Sequence, residues 1–447
     1  MNRLFSKREL TRLIFPLIVE LLLTLLVGMI DSVMVSSAGE AAVSGVSLID
    51  TVFQLLIYIF AAFGTGGAVV AGQYLGADER ESARDTVDQL VWFSGLSAIA
   101  IMGLIYLMRE FILGHVFGAI TQDVYWNADR YMMIVALSIP AISIYESGAA
   151  VFRTMGNSRI TMILSAVMNA VNICGNAILI YGAGMGAAGA AIATVAARYV
   201  AALIMIVLLM KKDNALYLKR TWRYRPNGGL IRRILRIGVP NGVENGLFQM
   251  GKILLAGLVA EFGTAAIAAN AVCQTIASIQ VIPGSAISMA ATTVIARCIG
   301  AGDENQARYY NRVLLLSTYA ILIPFCAAFW LALPMILSWY DLSAEAVHLA
   351  AHMVLAHTLG AVVIWPLTFV LPSSMRAAGD VRFAMVISLI SMFVFRLGTA
   401  YLLALGLNMG AVGVWLAMLC DWAFRAVVFS MRWLKGGWKG RSVIAKA

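Results

Sequence analysis

Two carboxylates share one face of the first apolar segment of the chain. Asp31 stands in the run Val27-Gly-Met-Ile-Asp-Ser-Val-Met34 without an adjacent basic residue, and Glu20 precedes it by eleven positions. Since an α-helix turns by about 100° per residue, the two side chains point within about 20° of each other. Ionisable groups inside apolar helices are costly and mark ion or proton sites. The pair therefore predicts a cation or proton site; buried carboxylates that serve packing are the alternative.

A third acid lies in the later half of the chain, together with a lysine. Glu244 stands in an equivalent apolar segment, and Lys252 follows eight positions later, about 80° away around a helix. Three roles are open for Lys252: it neutralises Glu244 or Asp31, it takes the place of a bound cation, or it forms a structural ion pair. Glu244 joins Asp31 and Glu20 as a candidate for cation coupling.

Three asparagines recur at helical spacing in one apolar segment: Asn169, Asn172 and Asn176. Their neutral oxygens suit a hard cation or a polar substrate. Hydrogen bonding between helices is the competing interpretation. Elsewhere, Asp421 and Arg425 are one helical turn apart and Arg396 is placed to join them, which favours a structural ion pair.

Length and composition show what must hold these side chains in place. Of 447 residues, 61% are hydrophobic and 13% charged, and the mean hydropathy is +0.85. A soluble fold needs a more polar exterior, and apolar stretches of about 20 residues, enough to cross a bilayer, recur from end to end. We therefore expect a polytopic membrane protein. Disordered chains, secreted disulfide scaffolds and classical DNA-binding domains are excluded.

The apolar runs divide into twelve spans, six in each half of the chain. Backbone groups in lipid must be satisfied within their own segment, so every span is predicted to be helical. A closed β-barrel needs alternating strands of about 10 residues, and these runs do not alternate. The spans are residues 13–37, 48–74, 87–108, 129–152, 160–181, 186–210, 238–261, 267–298, 313–335, 346–373, 383–405 and 411–433.

Basic residues predict the orientation. With both termini in the cytoplasm, 27 of the 33 Lys and Arg residues lie on the inner side and only Arg109 and Arg130 on outer loops. Basic amphipathic segments precede each half, at residues 6–12 and 230–236, and we expect both to be helices on the membrane surface. The stretch 211–236 carries nine Lys or Arg against Asp213, which favours contact with anionic lipids and not with nucleic acid.

An internal repeat organises the chain. Pro16-Leu-Ile-Val-Glu20 matches Pro240-Asn-Gly-Val-Glu244 at an offset of 224, and Arg153 and Gly156 match Arg376 and Gly379 at an offset of 223. With six helices per copy, the copies have the same orientation, which is typical of transporters with a cavity between two bundles. We predict an all-α protein of twelve transmembrane helices in two six-helix bundles, residues 1–210 and 237–447, joined by the linker 211–236. Asn169, Asn172, Asn176, Gln54, Lys252 and Arg396 are expected to line a central cavity.

With these residues in view, the chain resembles the multidrug and toxic compound extrusion (MATE) family over nearly its whole length. The matching stretches are Asp31-Ser-Val-Met-Val, Gly72-Gln-Tyr-Leu-Gly-Ala, Phe152-Arg-Thr-Met-Gly-Asn, Gly184-Met-Gly-Ala-Ala-Gly-Ala-Ala-Ile-Ala-Thr194 and Met375-Arg-Ala-Ala-Gly-Asp380. The resemblance implies a twelve-helix antiporter that exports organic cations and other amphiphiles against inward Na⁺ or H⁺. It implies that Asp31 is the coupling aspartate of the first helix, and that Asn172 and Asn176 stand at the family's Asn-xxx-Asp.

The chain departs from the family pattern in its second half. Where sodium-type members carry a glutamate in helix 7 this chain has Phe248, and the helix 10 acid falls on Trp365. Which half couples, and to which ion, is therefore open.

We expect a secondary-active multidrug exporter of a bacterial inner membrane, monomeric, in contact with lipids and small amphiphilic or cationic substrates, and working by rocking of two bundles. No catalytic constellation, nucleotide motif or metal site is evident, so neither an enzyme nor a cofactor other than Na⁺ or H⁺ is predicted. The alternative is a flippase of a lipid-linked saccharide or another amphiphile on a related two-bundle fold, which should have a wide, strongly cationic cavity.

Overall fold

A computed structural model describes residues 3–116, 121–219, 224–340 and 342–444, with only the backbone of Val116. The chain forms two compact units: an amino-terminal unit, Lys7–Gly242, and a carboxy-terminal unit that combines Met1–Ser6 with Val243–Ala447. The division falls inside a helix at Gly242, whereas the sequence predicted bundles of 1–210 and 237–447. The linker and nearly the first half of that helix fold with the amino-terminal unit.

In the amino-terminal unit, every described segment that is long enough to cross a membrane is helical. The helices are α1 (Lys7–Ser36), α2 (Glu40–Gly76), α3 (Arg80–Leu107), α4 (Arg109–Phe111), α5 (Gln122–Val135), α6 (Ile139–Thr154), α7 (Ser158–Asn176) and α8 (Gly186–Leu209). A 3₁₀ turn, Ala136–Ser138, joins α5 to α6, and π-helical turns follow α4 (Ile112–Val116) and α7 (Ala177–Gly182). The core lies between α2, α3, α5, α6 and α8 and includes Ile49, Phe53, Phe60 and Val135.

The helix α9 (Gly228–Ala260) passes from one unit to the other. The carboxy-terminal unit continues with α10 (Thr264–Gln280), α11 (Ile282–Gly300), α12 (Glu304–Ser338), α13 (Ala344–Val363), α14 (Trp365–Ala377), α15 (Val381–Ile390), α16 (Thr399–Tyr401) and α17 (Gly410–Leu434). Two π-helical segments, Ser391–Gly398 and Leu402–Gly406, flank α16.

Eleven helical segments in the described part of the chain are long and apolar enough to cross a membrane. They account for all six predicted spans of the first half and five of the second. The twelfth, residues 238–261, lies on α9, whose polar side chains lower its hydropathy; they include Asn241, Glu244, Gln249 and Lys252. Short breaks at Val281 and Ile364 divide the spans 267–298 and 346–373 into two helices each.

The internal repeat is confirmed in the packing. In the first unit α2 packs against α5 and α6; in the second, the corresponding α10 and α11 pack against α13 and α14. The matched glycines Gly156 and Gly379 both end a helix with positive φ, at 82° and 95°. Such a backbone conformation favours glycine, which has no Cβ to crowd the carbonyl. The two copies therefore share turn geometry as well as sequence.

The basic segments before each half are not separate surface helices, contrary to the prediction. α1 continues unbroken through Pro16, and α9 continues through Pro240. Proline removes one helical hydrogen bond and crowds the preceding turn, which kinks a helix but need not end it. Leu13 and Ile234, on the basic side of each proline, are buried. Apolar packing on the basic side of each proline thus helps to keep each helix in one piece.

The linker is held against α3. Lys219 N donates to Asp88 Oδ1 at 2.9 Å, and Lys219 Nζ also pairs with Asp85. Beyond residues 220–223, which lie outside the described part of the chain, Gln89 Nε2 donates to the Arg225 carbonyl at 2.9 Å and the Tyr224 ring stacks on Trp92. The described parts of this basic stretch are therefore docked on the amino-terminal unit.

Residues before α1 fold with the opposite half of the sequence. Leu4 N donates to Gln306 Oε1 at 2.9 Å, and Phe5 N donates to the Tyr310 hydroxyl at 2.8 Å. That hydroxyl in turn donates to the Phe5 carbonyl at 2.7 Å, and the two rings meet edge to face. The chain thus begins its described course in the carboxy-terminal unit before entering α1.

Candidate functional site

Asp31 lies near the end of α1, where α7 packs alongside it. Asn176 Nδ2 donates to Asp31 Oδ1 at 2.7 Å. With the Asn172 amide nitrogen facing the carboxylate, Nδ2 donates to the two Asp31 oxygens at 2.6 and 3.2 Å, and its oxygen accepts from Thr194 Oγ1 at 3.2 Å. Residues four apart on a helix share a face, so α7 presents both amides to one carboxylate. Three predicted site residues are therefore together.

A second carboxylate and an arginine complete this group. The Tyr131 hydroxyl donates to Asp50 Oδ1 at 2.9 Å. Arg198 interacts electrostatically with Asp31, Asp50 and Tyr131, and its Nη1 donates to Ser138 Oγ at 2.8 Å. We call this group the Asp31 cluster; its members are Asp31, Asp50, Tyr131, Asn172, Asn176, Thr194 and Arg198. Two ionised carboxylates against one guanidinium leave a formal charge of −1, which favours a cation.

One acceptor of the Asp31 cluster is unused. No hydrogen-bond donor among the described residues reaches Asn176 Oδ1, which is buried. A buried oxygen without a donor is uncommon in proteins and needs an explanation. Next to a carboxylate, it would serve as a further ligand atom for a cation, or would accept a hydrogen bond from a protonated carboxyl.

Sequence reasoning missed Asp50. It lies inside the predicted span 48–74, so the rule that singled out Asp31 applied to it equally. As the third residue of that span, Asp50 lies close to a predicted helix boundary. The tyrosine that donates to it, Tyr131, comes from α5 and is 81 positions away. Nothing in the local pattern indicates that pairing.

Two other predicted cavity residues do not join the Asp31 cluster. Asn169 Nδ2 donates to the carbonyl of Leu23 at 3.2 Å, which links α7 to α1. This is the interhelical hydrogen bond that was the competing interpretation for the asparagines. Gln54 is exposed on α2, next to the buried Phe53.

Glu20 lies in a separate buried group, closer to the start of α1. Its carboxylate accepts a short hydrogen bond from Thr161 Oγ1, and Arg153 Nη1 is 3.6 Å from Glu20 Oε1. Glu146, which sequence reasoning did not single out, interacts electrostatically with both Arg153 and Glu20. Two acids therefore surround one arginine. A protonated or cation-bound carboxyl would balance the charge of this group.

In the carboxy-terminal unit the partner of Glu244 is not Lys252. Arg376 Nη1 lies 3.3 and 3.1 Å from the two Glu244 carboxylate oxygens, and Arg376 Nη2 donates to Ser373 Oγ at 3.2 Å. The helical projection that placed Lys252 near Glu244 ignored side chains from other helices. Of the three roles open for Lys252, neutralising Glu244 is thus excluded.

Lys252 instead belongs to a cationic group. Its Nζ is 5.8 Å from the centre of the Phe248 ring, and it interacts electrostatically with Arg396. No acid in the described part of the chain forms an ion pair with it. The predicted pair of Asp421 and Arg425 is present at 2.9 Å, and Arg396 joins it at 3.6 Å.

Comparisons with known proteins agree with this architecture. The family model MatE matches twice, at residues 16–178 and 240–402. The probable multidrug resistance protein NorM of Thermotoga maritima is 25% identical, and the uncharacterized transporter YisQ of Bacillus subtilis is 24% identical; each match covers 98% of this chain and 95% of the relative.

Solved structures of the same fold cover nearly the whole chain. An outward-facing multidrug resistance MATE family transporter of the MOP superfamily superposes with a TM-score of 0.89 at 19% identity, over 96% of this chain and 95% of that one. A MOP superfamily transporter from Pyrococcus furiosus, described as having a binding pocket of reverse polarity, superposes with a TM-score of 0.90 at 20% identity, over 97% and 96%. With one copy of the family domain in each half of its sequence, the chain belongs to the MATE family of multidrug efflux transporters.

Proposed function

We propose that this multi-pass membrane protein exports organic cations and other amphiphilic drugs in exchange for inward Na⁺ or H⁺, and that Asp31 is the coupling residue. The observation that carries the proposal is the composition of the Asp31 cluster. Asp31 receives amide donors from Asn172 and Asn176 and shares a single arginine with Asp50. Its negative charge is therefore only partly compensated, which suits a carboxylate that must bind and release a cation.

Antiport requires that the two ligands disfavour simultaneous binding. One carboxylate shared by both is the simplest way to couple them. A proton or Na⁺ that arrives at Asp31 removes the charge that holds an organic cation, and the cation is then released outward. Each ligand must also prefer one conformational state, since a ligand shifts an equilibrium only by its differential affinity.

The repeat supports alternating access by rocking of the two bundles, in the manner of transporters built from parallel repeats. We place the protein in the inner membrane of a bacterium with both termini in the cytoplasm, because that orientation puts most basic residues inside. We further propose that it works as a monomer. Anionic lipids at the inner face would contact the basic stretch 211–236.

The test is export of a fluorescent organic cation such as ethidium from proteoliposomes. A Na⁺ gradient alone and a proton gradient alone are imposed in turn, with the parent protein and with Asp31→Asn. We expect one gradient at least to drive export by the parent and neither to drive it through Asp31→Asn. Glu40→Gln, which removes an exposed carboxylate at the start of α2, is the matched control. Export by Asp31→Asn at the parent rate would overturn the proposal.

A further inference from the structure

The carboxy-terminal unit contains a cavity of about 240 Å³. Its lining residues all come from that unit, on α9, α10, α11, α13, α14, α17, the π-helical segment Ser391–Gly398 and the break at Val281. Aromatic rings supply much of the wall: Phe248, Trp365, Phe369, Trp415 and Trp422. Trp365 stacks on Phe369, and Phe369 meets Trp422 edge to face. This part of the wall is therefore aromatic, and three of its rings are held by packing against each other.

Two cations line the same cavity. Lys252 is an exposed side chain that faces it, and Arg396 lines it from the π-helical segment. Behind them, Asp421 is shared between Arg396 and Arg425. Counting these four groups, one carboxylate stands against three cations, so the formal charge around the cavity is +2. Glu244 does not offset this charge, because its carboxylate already forms an ion pair with Arg376.

Two donors at the cavity have no acceptor. Arg396 Nε and Trp422 Nε1 are buried without a hydrogen-bond partner in the described part of the chain. Two other polar groups nearby are occupied: the Trp415 indole nitrogen donates to Asn270 Oδ1 at 3.0 Å, and His357 Nδ1 is 2.7 Å from Gln280 Oε1. Buried donors of this kind are normally satisfied. Both atoms are covered in this structure, so an anion in the cavity would bind Lys252 Nζ and would accept from Arg396 Nε and Trp422 Nε1 once the side chains that cover them shift.

We propose that this cavity is a binding site for a small aromatic anion. The ligand would carry a carboxylate or sulfonate on a single aromatic ring or on two fused rings. Hydrogen bonds between ionised partners are short and about twice as strong as neutral ones, which suits Lys252 and Arg396. Stacked and edge-to-face contacts with the tryptophans hold the ring system. Pockets for drug-sized ligands commonly measure about 300–1,000 Å³, so this one takes a smaller molecule. Its charge is opposite to that of the Asp31 cluster.

Binding at this site is independent of the ion coupling proposed above, whereas export of the bound anion rests on that proposed function. The experiment therefore measures binding alone, without a gradient. The probe is 2-naphthoate, titrated calorimetrically into purified full-length protein in a neutral detergent, with a titration into detergent alone as the blank. The comparison ligand is 2-naphthamide, which keeps the rings and loses the charge.

We expect 2-naphthoate to bind at least tenfold more tightly than 2-naphthamide. Lys252→Met should weaken the binding of naphthoate at least tenfold and leave the binding of naphthamide unchanged. Lys252→Arg should retain most of the affinity for naphthoate. Trp422→Phe, which keeps an aromatic ring and removes the indole donor, should weaken naphthoate about threefold or more. Lys435→Met removes an exposed lysine at the end of α17 and is the matched control with parent affinity.

Equal affinity for naphthoate and naphthamide in the parent protein would overturn the proposal, even if a variant failed to fold. So would unchanged naphthoate binding by well-folded Lys252→Met, or an equal loss with Lys435→Met. Naphthoate binding together with failed ethidium export would overturn the cation antiport proposal and leave this site in place.

Discussion

Arg376 contacts both carboxylate oxygens of Glu244, at 3.3 and 3.1 Å from one guanidinium nitrogen. The repeat places the same pair in the other unit, where Arg153 lies 3.6 Å from Glu20. All four side chains are largely buried, with 10 to 15% of each exposed. The pair thus occurs once per unit at matching positions, which favours a packing role common to both units. A difference between them lies in Glu146, which adds a second acid beside Arg153 only.

That difference gives a matched prediction for stability. Glu244→Gln leaves Arg376 buried without its counter-charge, and breaking such a pair costs about 3–5 kcal/mol. Glu20→Gln should cost less than half as much, because Glu146 still balances Arg153. Equilibrium unfolding in mixed detergent micelles measures both. Adding Arg376→Gln to Glu244→Gln should recover part of the loss. Equal costs for the two single variants would show that Glu146 does not compensate.

The second prediction concerns the two carboxylates of the Asp31 cluster. Asp31→Asn should lower gradient-driven ethidium export at least 100-fold, because it removes the charge that both ligands need. Asp50→Asn should lower the export rate at most tenfold. Asp50 accepts its hydrogen bond from Tyr131, whereas the two asparagine amides donate to Asp31. Initial export rates in proteoliposomes measure both, with elution as a monodisperse peak as the folding control. If Asp50→Asn proves the more damaging, the coupling role passes to Asp50.

The third prediction uses the start of α12. Asp303 accepts from the Gln306 backbone N–H at 2.9 Å, and this hydrogen bond holds the pKa of the Asp303 carboxyl below its usual value. Asp303→Ala should cost about 1 kcal/mol, as expected for loss of an N-cap. Glu79, at the matching position of α3, makes no such cap, so Glu79→Ala should cost less.

The pH dependence of that cap follows from the direction of the shift. A depressed pKa stabilises the folded state when pH is above the unfolded value of about 3.9, and the contribution is lost as pH falls through the folded value. The difference in unfolding free energy between parent and Asp303→Ala should stay constant from pH 7 to about pH 5 and shrink below about pH 4. A difference that grew on acidification would contradict the assignment of Asp303 as an ionised cap.

The fourth prediction compares Gly156→Ala with Gly379→Ala. Both positions have positive φ, which costs an alanine about 1–2 kcal/mol. A Cβ on Gly379 would also lie 2.0 Å from the Arg441 carbonyl oxygen, whereas nothing lies within 4 Å of one on Gly156. Gly379→Ala should therefore cost about 1–3 kcal/mol more, as overpacking does. Unfolding measurements test the difference, and faster tryptic cleavage after Arg441 would report the displaced tail.

Much of the fold could be predicted because the bilayer restricts which secondary structures a membrane-spanning segment can adopt. Backbone groups in lipid force helices, so the apolar runs and their repeat were enough to predict both halves. The helix projection failed where the partner came from elsewhere in the fold: Glu244 pairs with a residue 132 positions away, not with the nearby Lys252. Pro16 misled in the same way, because packing of Leu13 against other helices holds α1 together across it. Such tertiary contacts leave no trace in the periodicity of a single segment.

The anchoring of Leu4 and Phe5 has a consequence for how the protein is made. These residues are translated before their partners Gln306 and Tyr310, which follow about 300 residues later. The hydrogen bonds of Leu4 and Phe5 with Gln306 and Tyr310 can therefore form only after the roughly 300 intervening residues have been synthesised. For the same reason, a gene fragment that starts at Val243 encodes a second half in which the Tyr310 hydroxyl has lost both of its backbone partners. A transporter reconstituted from two separately expressed halves would need the first half to supply that short segment in trans.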